Sequence, residues 1–244
     1  MHPRGPAATT RLRLPLSEPV NGRQPRDYYR DDYGVVADPV TDQAEERFLG
    51  IVTADPTVAA ILERAPALGV GDWWLTAGIL FQTVWNSLTG RAPGTGIRDA
   101  DFLYFDDDTS WDAEDSVIRS GAELFADLPV PVEIRNEARV HLWYADRFGA
   151  PAPPFRDCAD AIDSFAAVCC CYGVTVDGEG RHRVYAPHGY DDLFSLTVRP
   201  NRRLAPRHVY EAKAERWQQQ WPELTVLPWD ASPGNRRSRR LADR

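Results

Sequence analysis

Residues 72–105 contain a predicted strand, a glycine turn, a helix, a loop and a second strand that begins with two carboxylates. Asp72 to Thr76 is rich in aromatic and β-favouring residues, and Ala77-Gly78 interrupts the run before an amphipathic segment that ends at Gly90. A helix start presents unpaired N–H groups and the positive end of the helix dipole, and a glycine there leaves room for an anion. The turn at Gly78 is therefore a candidate phosphate-binding position.

One face of the second predicted strand changes from charged to apolar residues along its length. In the run 99–105 the two-residue period of a strand places Asp99, Asp101, Leu103 and Phe105 on the same side. The carboxylates occupy only the entrance end of that face, and apolar residues follow, which suits a cleft at a sheet edge. Two carboxylates about 7 Å apart along a strand can hold Mg²⁺ together with substrate phosphates.

A third acid follows on the next predicted strand, at residues 130–135. Val130, Val132 and Ile134 alternate with Glu133, so the apolar residues face inward and Glu133 faces the other way. If this strand lies beside the one that carries Asp99, Glu133 completes a cluster of three carboxylates.

Composition excludes several classes of protein. A net charge of -8 over 244 residues argues against a generic nucleic-acid surface, and Lys213, the single lysine, cannot form a GxxxxGK phosphate loop. Cys158 and the run 169–171 lack the spacing of a zinc site and are predicted to be buried packing residues. The chain has neither a run of 18 apolar residues nor a signal peptide, so we expect a cytoplasmic protein without a membrane partner.

Four separated blocks of the chain resemble a family of small bacterial nucleotidyltransferase-like proteins in the polymerase-β-type nucleotidyltransferase superfamily. The blocks are DWWLTAGILFQTVWNSLTG, IRDADFLYFDDD, VEIRNEARVHLWY and APHGYDDLFSLTVRPN, in the order that the family has. The resemblance extends from about Phe48 to Leu227. It implies an α/β (α+β) nucleotidyltransferase fold, with a short mixed sheet flanked by helices.

The resemblance also implies a catalytic and metal-binding set. Asp99 and Asp101 would be the metal ligands, and Glu133 would take the third acidic position and support a second ion or activate the acceptor hydroxyl. The implied cofactor is Mg²⁺ or Mn²⁺, and the implied substrate is an NTP.

The candidate nucleotide-binding residues are Gly78 and Ile79 at the turn, and Arg139 in the helix predicted to follow the third acid. Arginine suits phosphate because its planar fork donates two hydrogen bonds at once, although most arginines on such a helix are solvated or pair with surface acids.

The implied reaction moves an NMP group from the NTP to an acceptor that the sequence does not identify: a small molecule, a protein or RNA. The alternative is a nucleotide-binding or interaction protein that has kept the fold and lost turnover. The superfamily turn is usually Gly-Gly or Gly-Ser, so Gly78-Ile79 favours the alternative slightly, whereas the three retained acids favour the enzyme.

The predicted organisation is a largely disordered leader (1–42), a nucleotidyltransferase-like domain (43–229) and a disordered Arg-rich tail (230–244). The domain has a catalytic half to about residue 150 and a second half at 157–229. Helices are predicted at 113–126, 136–147, 157–171, 191–198 and 208–219, and a hairpin at 174–186.

Overall fold

The computed structural model describes residues 39–231, so the predicted leader and tail lie almost wholly outside the described residues. The described part begins with helix α1 (Pro39–Thr53), helix α2 (Pro56–Arg64) and a 3-10 helix (Ala65–Leu68). Asp55 caps α2, because its carboxylate accepts hydrogen bonds from the backbone N–H groups of Thr57 and Val58. The sequence predicts both α-helices at these places.

The catalytic half alternates strands and helices, as predicted. Its elements are β1 (Trp73–Thr76), α3 (Gly78–Leu88), β2 (Ala100–Tyr104), α4 (Trp111–Leu124), β3 (Val132–Asn136), a 3-10 helix (Glu137–Leu142) and α5 (Tyr144–Phe148).

The second half is less regular. Its elements are α6 (Cys158–Ile162), a 3-10 helix (Val168–Cys170), β4 (Gly173–Val176), β5 (His182–Tyr185), α7 (Asp191–Phe194), β6 (Thr197–Val198), α8 (Arg207–Gln220) and β7 (Thr225–Val226). No helix in residues 39–231 is long and apolar enough to cross a membrane.

Five strands form one mixed sheet in the order β3-β2-β1-β4-β5. Strands β2 and β3 are parallel, and the other three neighbouring pairs are antiparallel. Strands β6 and β7 form a separate parallel pair. The predicted short mixed sheet flanked by helices is confirmed, and the two halves of the chain share it because β4 pairs directly with β1.

The two faces of the sheet differ in chemistry. Leu75, Phe102, Ile134 and Val174 are buried on one face and belong to the main hydrophobic core. The strand period places Thr76, Asp101 and Glu133 on the opposite face. The hydrophobic core therefore packs against one face of the sheet, and the acids lie on the opposite face.

Helix α3 is enclosed on more sides than its amphipathic pattern predicts, because residues 79–86 are all buried. Phe81 and Trp85 pack edge-on against Trp217 of α8, with ring centroids 5.1 and 5.9 Å apart. Because α3 and α8 are far apart in the sequence, no local sequence pattern predicts this contact.

The single helix predicted at 136–147 is divided into a 3-10 helix and the short helix α5. The side chain of Asn136 caps a 3-10 turn by accepting a hydrogen bond from the N–H of Ala138, and Trp143, at φ -127°, separates this turn from α5. The helix predicted at 113–126 begins two residues earlier, at Trp111, because the side chain of Ser110 caps it by accepting a hydrogen bond from the N–H of Ala113.

Two further helices are shorter than predicted because distant segments compete for their backbone. The helix predicted at 157–171 ends at Ile162, and Ala167 then forms a β-bridge with Pro200. The helix predicted at 191–198 ends at Phe194, because Leu196 has φ +54° and the next two residues pair with β7.

Candidate active site

The site residues meet in one row across the sheet. Thr76 on β1 is the register partner of Asp101 on β2, and Asp101 is the register partner of Glu133 on β3. Directly opposite residues of neighbouring strands point to the same face, with Cβ atoms about 4.5–5.5 Å apart in an antiparallel pair. Asp99 lies just before β2. The condition on which the three-carboxylate cluster depends is met, because β2 and β3 are neighbours in the sheet.

Burial and neighbouring acids disfavour the charged form of Asp101 more than nearby cations favour it. Burial and the charge of Asp99 raise the pKa of Asp101 to about 6, and Glu133 acts in the same direction. The charge of Lys213 on α8 lowers that pKa and offsets part of the effect. A divalent cation between the carboxylates would remove the repulsion.

The carboxylate of Glu133 pairs with a basic side chain of its own strand. Its carboxylate lies 3.5 Å from the guanidinium of Arg135, and both side chains are nearly half exposed. An exposed pair of this kind contributes only about 0–1 kcal/mol, so it does not hold Glu133 firmly. Within residues 39–231, no three His, Cys, Asp or Glu side chains are arranged so that they hold a metal ion. The donor set itself fits one, because carboxylate oxygens are the ligands that Mg²⁺ prefers.

The turn before α3 is tight. Ala77 has φ +56° and ψ -131°, a conformation rare for a residue with a side chain. Next to it, Nε2 of Gln82 lies 3.0 Å from the position that a Cβ on Gly78 would occupy. Ile79 is fully buried in the core, so its side chain is not available to a ligand.

Arg139 lies in a buried polar cluster apart from this row. Its Nε lies 2.8 Å from a carboxylate oxygen of Glu114, although the N–H is not aligned with that oxygen, and its Nη1 donates to the carbonyl of Thr109. The guanidinium is also 5.7 Å from the ring of Trp111. These contacts give Arg139 a structural role that joins α4 to the segment after β3, and its predicted phosphate contact remains a prediction.

A family model described as Nucleotidyltransferase matches residues 63–226. The chain belongs to this nucleotidyltransferase family. The resemblance seen in the sequence is thereby confirmed, as is the prediction of an enzyme that transfers nucleotidyl groups. No curated protein is significantly similar to the chain.

The fold of this nucleotidyltransferase is also that of a solved structure. An NMR structure described as revealing a CCA-adding enzyme head domain aligns with it at a TM-score of 0.60 and 24% sequence identity. The alignment covers 75% of this chain and 95% of the other. At that identity the match establishes the fold.

Two groups of the nucleotidyltransferase site were missed by sequence reasoning. The hydroxyl of Thr76 is fully buried and has no hydrogen-bond partner among the described residues. Burial, followed by the charge of Asp101, raises the pKa of Glu137 to about 8. Glu137 continues the alternation of Glu133 and Arg135 beyond the end of β3, and that period is the signal from which it could have been found.

Proposed function

We propose that the chain transfers an NMP group from an NTP to an acceptor hydroxyl in a reaction that uses Mg²⁺ or Mn²⁺. The observation that supports this proposal is the row of register partners in which Asp101 and Glu133 project from neighbouring parallel strands, with Asp99 just before the first of them.

In this proposal Asp99 and Asp101 hold the metal, and Glu133 joins them by turning away from Arg135. The ion supplies charge neutralisation to the triphosphate and to the leaving pyrophosphate. The raised pKa of Asp101 fits this role, because a buried carboxylate beside two other acids gains most from a cation. Gly78 and the backbone N–H of Ile79 would donate to phosphate oxygens at the start of α3.

Turnover is the direct test. The protein is incubated with each labelled NTP and with Mg²⁺ or Mn²⁺, and pyrophosphate release and label on RNA, protein or small molecules are measured. Asp101→Asn should abolish release. Asp107→Asn, an exposed acid in the turn after β2, is the matched control and should keep parental activity.

A second candidate is a nucleotide-binding protein without turnover. It is favoured by the presence of Ile79 at the turn, because a hydrocarbon side chain has no hydrogen-bond donor for a phosphate, whereas the serine of a Gly-Ser turn has one. Nucleotide binding in the absence of pyrophosphate release with every NTP and both metals would support this candidate against the enzyme.

A further inference from the structure

Two large hydrophobic side chains among the described residues are exposed, Trp111 by 69% and Leu142 by 57%. Trp111 is the first residue of α4, and Leu142 is the last residue of the 3-10 helix after β3. The guanidinium of Arg139 lies 5.7 Å from the centre of the Trp111 ring. Leu142 follows Arg139 by three residues, and side chains at that spacing are eclipsed in a 3-10 helix. Trp111 and Leu142 therefore belong to one surface, which we call the Trp111 surface.

The loop that presents Trp111 is held in place by hydrogen bonds. The side-chain amide of Asn136, at the end of β3, donates to the carbonyls of Asp106 and Asp108 at 3.0 and 3.3 Å. The carboxylates of Asp106 and Asp108 each accept a hydrogen bond from the N–H two residues further on. Ser110 then caps α4. The fold thus fixes Trp111 at the surface, although tryptophan is a residue that proteins usually bury.

The cations nearest to Trp111 are already neutralised. The Nε of Arg139 lies 2.8 Å from a carboxylate oxygen of Glu114, and both side chains are largely buried. Arg119, two turns further along α4, pairs with Asp115 at 2.5 Å. Neither guanidinium therefore repels a second cation strongly. Most of the Trp111 ring remains accessible, and an exposed indole attracts a cation by about 0.5–1 kcal/mol.

The chain around Trp111 is acidic. Residues 106–112 include no basic residue and four exposed acids, which are Asp106, Asp107, Asp108 and Asp112. Asp107 and Asp112 form no ion pair with any residue between 39 and 231. An acidic surface repels the phosphate backbone of a nucleic acid and attracts cationic groups. The charge of the Trp111 surface is therefore complementary to a basic partner.

Arginine suits this surface better than lysine does. Its planar guanidinium stacks on an aromatic ring and also donates two parallel hydrogen bonds to a carboxylate, whereas the lysine ammonium is a compact and strongly hydrated charge. Leu142 offers an apolar contact to the hydrocarbon part of such a side chain. We propose that the Trp111 surface binds an arginine-rich peptide segment of another protein.

This surface is separate from the acids of the proposed reaction. Asp101 is the second residue of β2, and the loop that presents Trp111 follows the end of that strand. A strand rises about 3.3 Å per residue, so Phe105 lies about 13 Å beyond Asp101. A peptide bound at Trp111 leaves Asp99 and Asp101 accessible, and the proposal does not depend on whether the chain turns over an NTP.

The test measures the binding of a fluorescent peptide, Arg-Arg-Ser-Arg-Arg, to the full chain by anisotropy at low salt. The matched peptide Lys-Lys-Ser-Lys-Lys has the same charge and should bind more weakly. Trp111→Ala changes no charge and should weaken binding of the arginine peptide about fivefold, whereas Trp111→Phe keeps an aromatic ring and should restore most of the affinity. Equal affinity in Trp111→Ala and the parent, equal affinity for the two peptides, or no binding would overturn the proposal.

Acid variants separate local charge from net charge. Asp107→Asn and Asp112→Asn should each weaken binding of the arginine peptide about twofold to threefold. Glu123→Gln is the matched control: this exposed glutamate is 12 residues along the same helix from Trp111, about 18 Å away, and its loss changes the net charge equally. The control should keep parental affinity. An equal loss in all three variants would contradict binding at the Trp111 surface.

Two other occupants are outcomes of the same assay. Residues 236–240 of the chain have the sequence of the arginine peptide. If replacing their four arginines by glutamine raises affinity for the peptide, the chain's own tail occupies the surface and the proposal of a partner protein is wrong, whereas unchanged affinity supports it. A labelled single-stranded RNA should not bind in a manner that depends on Trp111, and such binding would also overturn the proposal.

Discussion

Thr76 and Asp101 are direct partners on neighbouring antiparallel strands, and the hydroxyl of Thr76 is buried there without a hydrogen bond to any described residue. An unpaired buried hydroxyl costs about 1–3 kcal/mol. This unfavourable free energy arises in the row of residues that includes Asp101 and Glu133. Such a cost at a site suggests that the hydroxyl is used when a ligand or a metal-bound carboxylate is present.

Thr76→Val should therefore stabilise the metal-free protein by about 1 kcal/mol and at the same time lower pyrophosphate release. Urea unfolding and an activity assay measure the two effects. Thr83→Val is the matched control: Thr83 is equally buried, but its hydroxyl donates to the carbonyl of Ile79 at 2.6 Å, so the same substitution should not stabilise the protein. Loss of stability in Thr76→Val would show that its hydroxyl has a partner.

Asp101→Asn should leave the metal-free protein as stable as the parent or slightly more stable, because it removes a buried charge beside Asp99. The parent, with Mg²⁺ and NTP at about a hundred times the dissociation constant, should gain about 2.7 kcal/mol, and the variant should lose most of this gain. Thermal melts with and without both ligands provide the comparison. Equal shifts in parent and variant would contradict the assignment of Asp101 as a metal ligand.

Glu137→Gln should flatten the dependence of stability on pH. The pKa of Glu137 is about 8 in the folded protein and near 4.5 ordinarily, so between these values the folded state keeps a proton that the unfolded chain releases. The free energy of unfolding therefore falls as pH rises, by up to about 1.4 kcal/mol per pH unit.

Urea unfolding between pH 6.5 and 8 isolates this effect, because Asp101, with a pKa of about 6, has largely titrated below that window. Glu137→Gln should show little slope there and should exceed the parent in stability at pH 8. Glu123→Gln, an exposed glutamate on α4, should keep the parental slope. A parental slope in Glu137→Gln would mean that another group is responsible.

Gly121→Ala should destabilise the protein by about 1–3 kcal/mol, although alanine favours helices, because the new Cβ would overlap with Cδ1 of Ile134 on β3. Ile134→Val removes that same Cδ1. The double variant should therefore be more stable than the sum of the two single changes predicts, and denaturant unfolding of all four proteins measures this coupling. Additive losses would show that α4 and β3 do not meet at this contact.

The strand, turn, helix and strand of residues 72–105 could be predicted because local periodicity defines them, and β1, α3 and β2 lie within a residue or two of the predicted limits. The face of each acid was also predictable from the two-residue period, whereas the pairing of Asp101 with Glu133 required the sheet order that only the structure provides. In the second half, pairing between distant segments displaced local preference: Ala167 pairs with Pro200, and β6 pairs with β7.

A cavity of about 300 Å³ beside Asp99, between α3, the loop before β2 and α8, could not be predicted from sequence. Gln82 and Arg216 belong to helices that are more than a hundred residues apart, and each resembles an ordinary polar residue within its own helix. Only the packing of Trp217 of α8 and of Trp221 just after it against α3 brings them together. Burial of a polar atom without a partner is likewise a property of the three-dimensional structure.

The position of α8 in the chain also gives the site an order of assembly on the ribosome. Asp99 and Asp101 are translated more than a hundred residues before Lys213 and Arg216, and at about 5–20 residues per second the delay is roughly 5–20 s. During that interval the acids are present but the wall formed by α8 is not. Phe81 and Trp85 of α3 therefore lack the ring of Trp217 that covers them until α8 has been made.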